Sequence, residues 1–402
     1  MKSFLFLHLL LLPFTFEGQI TSITKGKSFN KSILVGADQP NAYLPLLRNK
    51  RVGVVANQTS TTAGMHLVDY LLAQDVEVKK VFAPEHGFRG DAGAGEHIAD
   101  GKDGKTGLPL VSLYGKNEKP SADMLKDLDV ILFDIQDVGA RFYTYISTLH
   151  YVMEAAAENK KSVIVLDRPN PNGFYIDGPV LKKEFQSFVG MDAIPVVHGC
   201  TVGELAQMMN GEGWLKGSVI CDLKVITCTN YSHSDYYELP IQPSPNLPNM
   251  SSVYLYPSLC FFEGTTVSVG RGTAYPFQCI GYPGNTTGTY TFTPLDKPGI
   301  AMNPPHEGVQ CTGHLLSEFG SFYFQNNKGL YLEWLIGLYQ ASNSKATFFT
   351  NARFFDKLAG TDQLRLAIEA GKSKDEIIAT WQADLTAFKT LRKKYLLYPD
   401  FE

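Results

Sequence analysis

The sequence predicts an α/β fold, a doubly wound parallel sheet followed by a second region of different character. Three observations predict it. Short runs of β-branched and apolar residues recur, helical patterns fill the gaps between them, and a proline-rich stretch then breaks the alternation. At 402 residues the chain exceeds one ordinary domain, so two are expected. They are placed at 46–250 and 251–402, after an irregular lead-in over 19–45.

The N-terminus opens Met1-Lys2-Ser3 and is mostly apolar from Phe4 to Phe16. One Lys before a short apolar stretch is a secretory-signal pattern, and the stretch is short of the ~20 residues a membrane span needs. Residues 1–18 are therefore expected to be a cleaved signal. The chain is then an exported bacterial protein, periplasmic or secreted, with no membrane anchor after cleavage. The six Cys at 200, 221, 228, 260, 279 and 311 include no CxxC pair, which argues against a zinc or redox motif. Disulfides and buried free thiols both fit an exported chain.

Strands are expected at Val52–Ala56, Val76–Ala83, Val130–Phe133, Val163–Leu166 and Leu223–Thr227. Helices are expected at Ala63–Gln74, Thr144–Asn159 and Thr201–Asn210, the last opened by a Thr201/Glu204 capping box. Gly90–Gly107 holds six Gly and reads as a long loop beside the sheet, the kind that covers sites. Prolines 240, 243, 245, 248 and 257 mark the change of character. A strand at Gly288–Thr293 follows, with helices near Leu330–Gln340 and Thr361–Ala370. A last helix runs from a Ser373/Glu376 capping box through Ile377, Trp381, Leu385, Phe388 and Leu391. Its Lys389, Arg392, Lys393 and Lys394 read as a solvated face.

In an open parallel sheet, ligands bind where the strands end. Four strands here end in polar clusters: Asn57-Gln58, Pro84-Glu85-His86-Gly87, Asp134-Ile135-Gln136-Asp137 and Asp167-Arg168-Pro169-Asn170. Carboxylates, amides, Arg and His together suit a hydroxyl-rich substrate better than a hydride cofactor. A net charge of −4 gives no reason to expect nucleic acid. There is no GxSxG elbow and no HExxH. Residues 99–106 miss a phosphate loop by its first Gly, and Gly93-Ala94-Gly95 lacks the third Gly of a dinucleotide fingerprint.

Glu85, between Pro and His at a strand end, is the sharpest signal, since Glu is a usual general acid. A surface Glu in a glycine-bounded turn is the plainer alternative. His86 and Arg89 fit either an acidic substrate group or a helix cap. Asp134 suits an orienting role or a cap. Gln136, Asp137 and Arg141 share its segment. Tyr143 and Tyr145 alternate about Thr144, so one is expected to face the site and the other to pack. Asp167-Arg168 reads equally as substrate contacts or an internal ion pair. Asn170 suits a sugar hydroxyl, His198 fits structure or catalysis, and Ser244 and Asn246 lie in a rigid Pro-bounded turn. Glu263 and Arg271 sit in glycine-bounded segments, as ligand groups or as each other's partner.

Taken in order, several segments resemble the NamZ family of exo-β-N-acetylmuramidases. They are Pro84-Glu85-His86-Gly87, the run Phe133–Tyr145, Asp167-Arg168-Pro169-Asn170-Pro171, and Glu263-Gly264-Thr265 with Gly270-Arg271-Gly272-Thr273. The resemblance extends from about residue 50 to the C-terminus, with Thr266 standing where the family pattern has Asn. It implies a Rossmann-like N-terminal domain, a smaller α+β C-terminal domain and an active-site cleft between them. It also implies release of N-acetylmuramic acid (MurNAc) from non-reducing ends of peptidoglycan fragments such as MurNAc-GlcNAc, in cell-wall turnover and recycling, without metal or organic cofactor. Glycoside hydrolysis commonly uses two carboxyl groups. Glu85 is the expected acid. Glu263 is the expected base, nucleophile or orienting group, with Asp134 and Asp137 in reserve. A lactyl carboxylate calls for a cation, and Arg89, Arg141, Arg168 and Arg271 are available. His86 and His198 are expected to hydrogen-bond the sugar. The contrasting expectation is a non-catalytic binder of peptidoglycan fragments or another acidic glycan.

Overall fold

The computed structural model describes residues 32–89 and 100–402. The expected signal, the lead-in up to residue 31 and residues 90–99 of the glycine-rich loop lie outside the described residues. Residues from Ile33 onward form one unit.

The first α-helix among the described residues is α1 (Pro40–Leu47), which starts inside the stretch expected to be irregular. Pro at its first position suits a helix start, where no N–H is needed. Strand β1 (Val52–Ala56) follows. A tight hairpin of β2 (Thr61–Thr62) and β3 (Met65–His66) then precedes α2 (Leu67–Ala73). The hairpin takes the first half of the helix expected from Ala63. Ala63 and Gly64 both have positive φ, which ends any helix there. Next come β4 (Val78–Ala83), β5 (Gly101–Lys102), β6 (Pro109–Ser112), α3 (Ala122–Leu125) and β7 (Val130–Asp134). Helix α4 (Tyr145–Glu158), β8 (Ser162–Leu166), α5 (Val202–Gly211) and β9 (Asp222–Ile226) complete the alternation.

The seven strands run in the order β5-β6-β4-β1-β7-β8-β9, parallel except for the β5 edge. The chain starts at β1, winds outward through β4 and β6, then returns past β1 to β7, β8 and β9. This is the expected doubly wound sheet, and its direction reverses between β1 and β7. Alternate side chains feed two cores. Val55, Phe82, Ile131, Phe133, Val163 and Val165 join the larger core. Val54, Val81, Leu132, Ile164 and Leu166 pack with α1 and α2 on the other.

The proline-rich stretch ends in a helix not expected from its sequence, α6 (Met250–Leu259), with nine of its residues buried. Asn249 caps it by accepting from the Ser252 N–H. A three-stranded antiparallel sheet follows, ordered β10-β12-β11, from β10 (Cys279–Tyr282), β11 (Tyr290–Phe292) and β12 (Cys311–Leu315). Helices α7 (Ser317–Asn326), α8 (Glu333–Ala341), α9 (Ala352–Ala359) and α10 (Gln363–Glu369) lead into α11 (Lys374–Ala379) and α12 (Gln382–Arg392). The single tail helix expected from the heptad-like spacing is thus two helices, broken at Thr380-Trp381. Trp381 donates its indole N–H to buried Asp177, 3.1 Å away. All six Cys are buried free thiols.

Candidate active site

Glu85 stands just past the end of β4, at the corner of a turn closed by Gly87 N–H to Pro84 C=O. His86 follows it with φ 71°, the left-handed value that a type II turn requires at that position. Such a conformation is costly for a residue with a side chain, roughly 1–3 kcal/mol. The strain holds Glu85 at the sheet edge, partly exposed, while His86 is buried beside it.

A hydroxyl holds the Glu85 carboxyl. Thr144, at the N-terminus of α4, donates to its Oε2 at 2.7 Å. Tyr114 lies nearby: burial first, then the charge of Glu85, pushes its phenol well above the usual range. A hydroxyl donates to an ionised carboxylate and accepts from a protonated one. Thr144 therefore keeps Glu85 in place in both protonation states. Tyr145 lies against the Glu85 backbone carbonyl, and its hydroxyl also meets the Pro243 carbonyl at 3.3 Å.

Tyr114 also feels the charge of Arg271, which comes from the C-terminal region. Arg271 Nε donates to Glu263 Oε1 at 2.7 Å and its guanidinium lies 4.9 Å from the Phe277 ring. Both side chains keep some exposure, 20% for Arg271 and 22% for Glu263. They line a pocket of about 350 Å³ shared with Thr265, Met302, Asn303 and Phe354. Tyr256, close enough to feel the charges of Glu263 and Arg271, packs on Phe277, Phe142 and Tyr143.

Beneath this surface lies a buried polar layer. Gln136 donates to the carbonyls of Asp137 and Pro169. Asp137 Oδ2 accepts from the Gly139 N–H at 2.6 Å. Gly139 has φ 79°, and a Cβ there would meet Asn170 Oδ1 at 2.1 Å, so only Gly fits. His198 Nδ1 accepts from Cys200 N–H, and its Nε2 stands 3.9 Å from Asp137 Oδ2. Asn170 donates to Cys200 C=O and accepts from Asn172 N–H. Ser244 Oγ accepts from Asn246 N–H, and Asn246 donates to Ile300 C=O. Gln136 Oε1, Asp137 Oδ1, His198 Nε2 and Asn246 Oδ1 have no hydrogen-bond partner among the described residues.

Three of the four expected cations are committed elsewhere. Arg89 forms a two-pronged pair with Asp103, both contacts 2.8 Å. Arg168 does the same with Asp134, at 2.6 and 2.9 Å. Arg141 is fully buried and donates to the carbonyls of Pro179, Ile194 and Leu358. Only Arg271 combines exposure with proximity to Tyr114. The Asp167–Arg168 side-chain pair does not form. Asp167 instead accepts from Thr201 Oγ1 and Gly203 N–H at the start of α5, and from Tyr398. Tyr143 and Tyr145 do not split between site and core: their rings pack 4.8 Å apart and both hydroxyls reach Pro243 C=O. The segment is a turn entering a helix, so strand alternation does not apply.

Tyr114 and Tyr256 escaped the sequence reading. Tyr114 follows β6, whose four residues begin with Pro and pair with β4 through Val81–Ala83. The run Leu110-Val111-Ser112-Leu113 was its only sequence signal. Tyr256 sits in the unexpected helix α6.

Family profiles described as exo-beta-N-acetylmuramidase NamZ, N-terminal and C-terminal, match residues 52–251 and 254–398. The chain belongs to the NamZ family. A relative from Bacillus subtilis (strain 168), named peptidoglycan beta-N-acetylmuramidase NamZ, is 40% identical over 375 residues, 89% of each chain. Two crystal structures of DUF1343 family proteins from Bacteroides fragilis are also similar. One superposes with a TM-score of 0.85 at 49% identity, covering 92% of this chain and all of the other. The second gives 0.76 at 31% identity, covering 91% and 99%. In this NamZ-family chain, Glu85 and the Glu263–Arg271 pair come from the two matched regions, and Tyr114 feels the charges of both Glu85 and Arg271. Among the described residues no three His, Cys, Asp or Glu side chains gather to hold a metal.

Proposed function

We propose that this chain is an exo-acting β-N-acetylmuramidase that removes the terminal non-reducing MurNAc from peptidoglycan fragments. The observation that carries the reading is the hydroxyl-held Glu85, whose neighbour Tyr114 also feels the charge of Arg271, the partner of Glu263. The B. subtilis relative's name supports the substrate class.

In the proposed reaction Glu85 gives its proton to the glycosidic oxygen as the C1–O bond breaks. Water supplies the new oxygen at C1, and its proton passes to a carboxylate. Glu263 stands as that second carboxylate and Arg271 as the partner of the lactyl carboxylate. The buried layer of Gln136, Asp137, His198 and Asn246 supports the site floor.

The test is mass spectrometry of products from MurNAc-GlcNAc. Free MurNAc from the wild type, with at least a thousandfold less from a folded Glu85→Gln variant, is the expected result. Undiminished release by that variant rejects the assignment of Glu85. The anomer released, followed by NMR, then assigns Glu263: inversion makes it the base, retention the nucleophile.

A further inference from the structure

A second cavity, of about 1050 Å³, opens beside Tyr114. Its wall begins at the next residue, Gly115. It includes Phe188, whose ring packs against Tyr114 with centroids 6.3 Å apart. Tyr114 thus stands between the two: the charge of Glu85 acts on its phenol, and its ring packs on a residue of this cavity's wall.

The cavity has an aromatic side and a polar side. Tyr151 and Phe188 both line it, both are half-buried, and their rings are within 12° of parallel with centroids 6.2 Å apart. The stacked pair keeps ring surface exposed on the cavity, and an aromatic face of this kind is where a ring-shaped amphipathic ligand rests. The polar wall is built from buried charges that satisfy one another. His150 Nδ1 lies 2.9 Å from Asp192 Oδ1. Glu154 accepts from Lys119 Nζ at 2.5 Å and from Lys216 N–H at 2.7 Å. The His150, Asp192 and Glu154 side chains are 3–4% exposed. With Lys116, Lys119, Lys183 and Lys216 set against Glu118, Glu154 and Asp192 in the lining, the wall offers polar contacts without a strong net field. That chemistry fits a neutral sugar bearing hydroxyl and acetamido groups better than an ion.

The two cavities differ in size, about 350 Å³ at Glu263 and Arg271 and about 1050 Å³ here. An enzyme that removes one terminal sugar needs a small pocket on one side of the scissile bond and more room on the other. We propose that the larger cavity holds the leaving-group side of the substrate, a neutral acetamido-sugar chain stacked on Tyr151 and Phe188. This rests on the muramidase reading, which makes Glu85 the divide between the two sides.

The test compares kcat/KM on three substrates: MurNAc β-fluoride, whose leaving group is a single atom, MurNAc-GlcNAc, and the tetrasaccharide (MurNAc-GlcNAc)2. In Tyr151→Ala the ratio of tetrasaccharide to fluoride turnover is expected to fall about tenfold. Phe188→Leu, a milder change, is expected to lower the same ratio and guards against a folding defect in the first variant. An equal loss on all three substrates, or no loss, overturns the proposal. If the wild type hydrolyses none of them, the muramidase reading fails by itself. Calorimetry of the tetrasaccharide then decides the cavity. Binding about tenfold weaker in Tyr151→Ala supports it, while equal binding, or none to the wild type, overturns it.

Discussion

Asp137 and His198 face each other in the buried layer with opposite consequences for pH. Burial pushes the Asp137 carboxyl up to about 7, against the N–H donors of Gly139 and Val138. Between about pH 4 and 7 an unfolded chain has lost that proton while the native protein keeps it. The native state then binds more protons, so this contribution to stability declines as pH rises through the window and levels off above it. Burial, then the charges of Arg392 and Arg141, holds His198 neutral down to about 3. Its contribution runs the other way, rising with pH from about 3 to 6.5. The two trends partly cancel in the wild type. Asp137→Asn removes only the first, and its side-chain oxygen still accepts from Gly139. Denaturant titrations should show the variant gaining roughly 2–4 kcal/mol relative to wild type between pH 4 and 8. A pH-independent difference rejects the assignment. Nearer the surface, Thr144→Val deletes the hydroxyl on Glu85. A hydrogen bond to a charged group contributes roughly 1.5–3 kcal/mol, so kcat should fall about 10- to 100-fold with KM little changed. An unaltered kcat shows that the Thr144 bond does not position the acid.

Among the elements, α5 shows how a local signal acquires a tertiary task. Thr201 accepts from Glu204 N–H and Glu204 returns the bond to Thr201 N–H, the expected capping box. The same Thr201 hydroxyl donates to Asp167 Oδ2 at 2.7 Å, tying the helix start to the end of β8. Thr201→Ala should therefore cost more than the ~1 kcal/mol of an ordinary cap, roughly 2–3 kcal/mol in chemical denaturation. A loss confined to ~1 kcal/mol means that the Asp167 contact adds nothing. Capping boxes and buried strands were legible because their causes lie within a few residues. The hairpin before α2 was not, since Met65 is spaced with Val68, Leu71 and Leu72 as on one helix face, yet pairs across a turn with Thr62. Strand β6 was missed because four residues starting with Pro carry little periodicity, and only β4 beside them makes a strand.

Over the whole molecule, the tail returns to the edge of the large sheet. Arg392, expected on a solvated face, is 1% exposed. It donates twice to Gly199 C=O and pairs with Asp400 at 2.8 and 2.9 Å. Tyr398 meanwhile donates to Asp167. Arg392→Met should destabilise the protein by roughly 3 kcal/mol or more, because Asp400 and Gly199 C=O lose their donor in a largely buried place. A thermal melt unchanged from wild type rejects this role. The N-terminal Lys2 and apolar run lead us to propose export, and N-terminal sequencing of the mature protein from a bacterial host should find residues 1–18 removed. An intact Met1 on extracytoplasmic protein rejects that proposal.

The sequence by itself determined the doubly wound sheet, the strand ends that present Glu85 and Asp134–Asp137, and the family, because these follow from local periodicity and from long ordered motifs. It also put Glu263 and Arg271 in glycine-bounded segments. The tertiary structure decided which charges remain available. Arg89, Arg141 and Arg168 resemble Arg271 as letters, yet Asp103, three buried carbonyls and Asp134 engage them. It also decided that Tyr114, about thirty residues beyond Glu85, lies close enough to feel the charge of the candidate acid. Long-range pairing of β4 with β6 brings them together, and no local pattern encodes that contact.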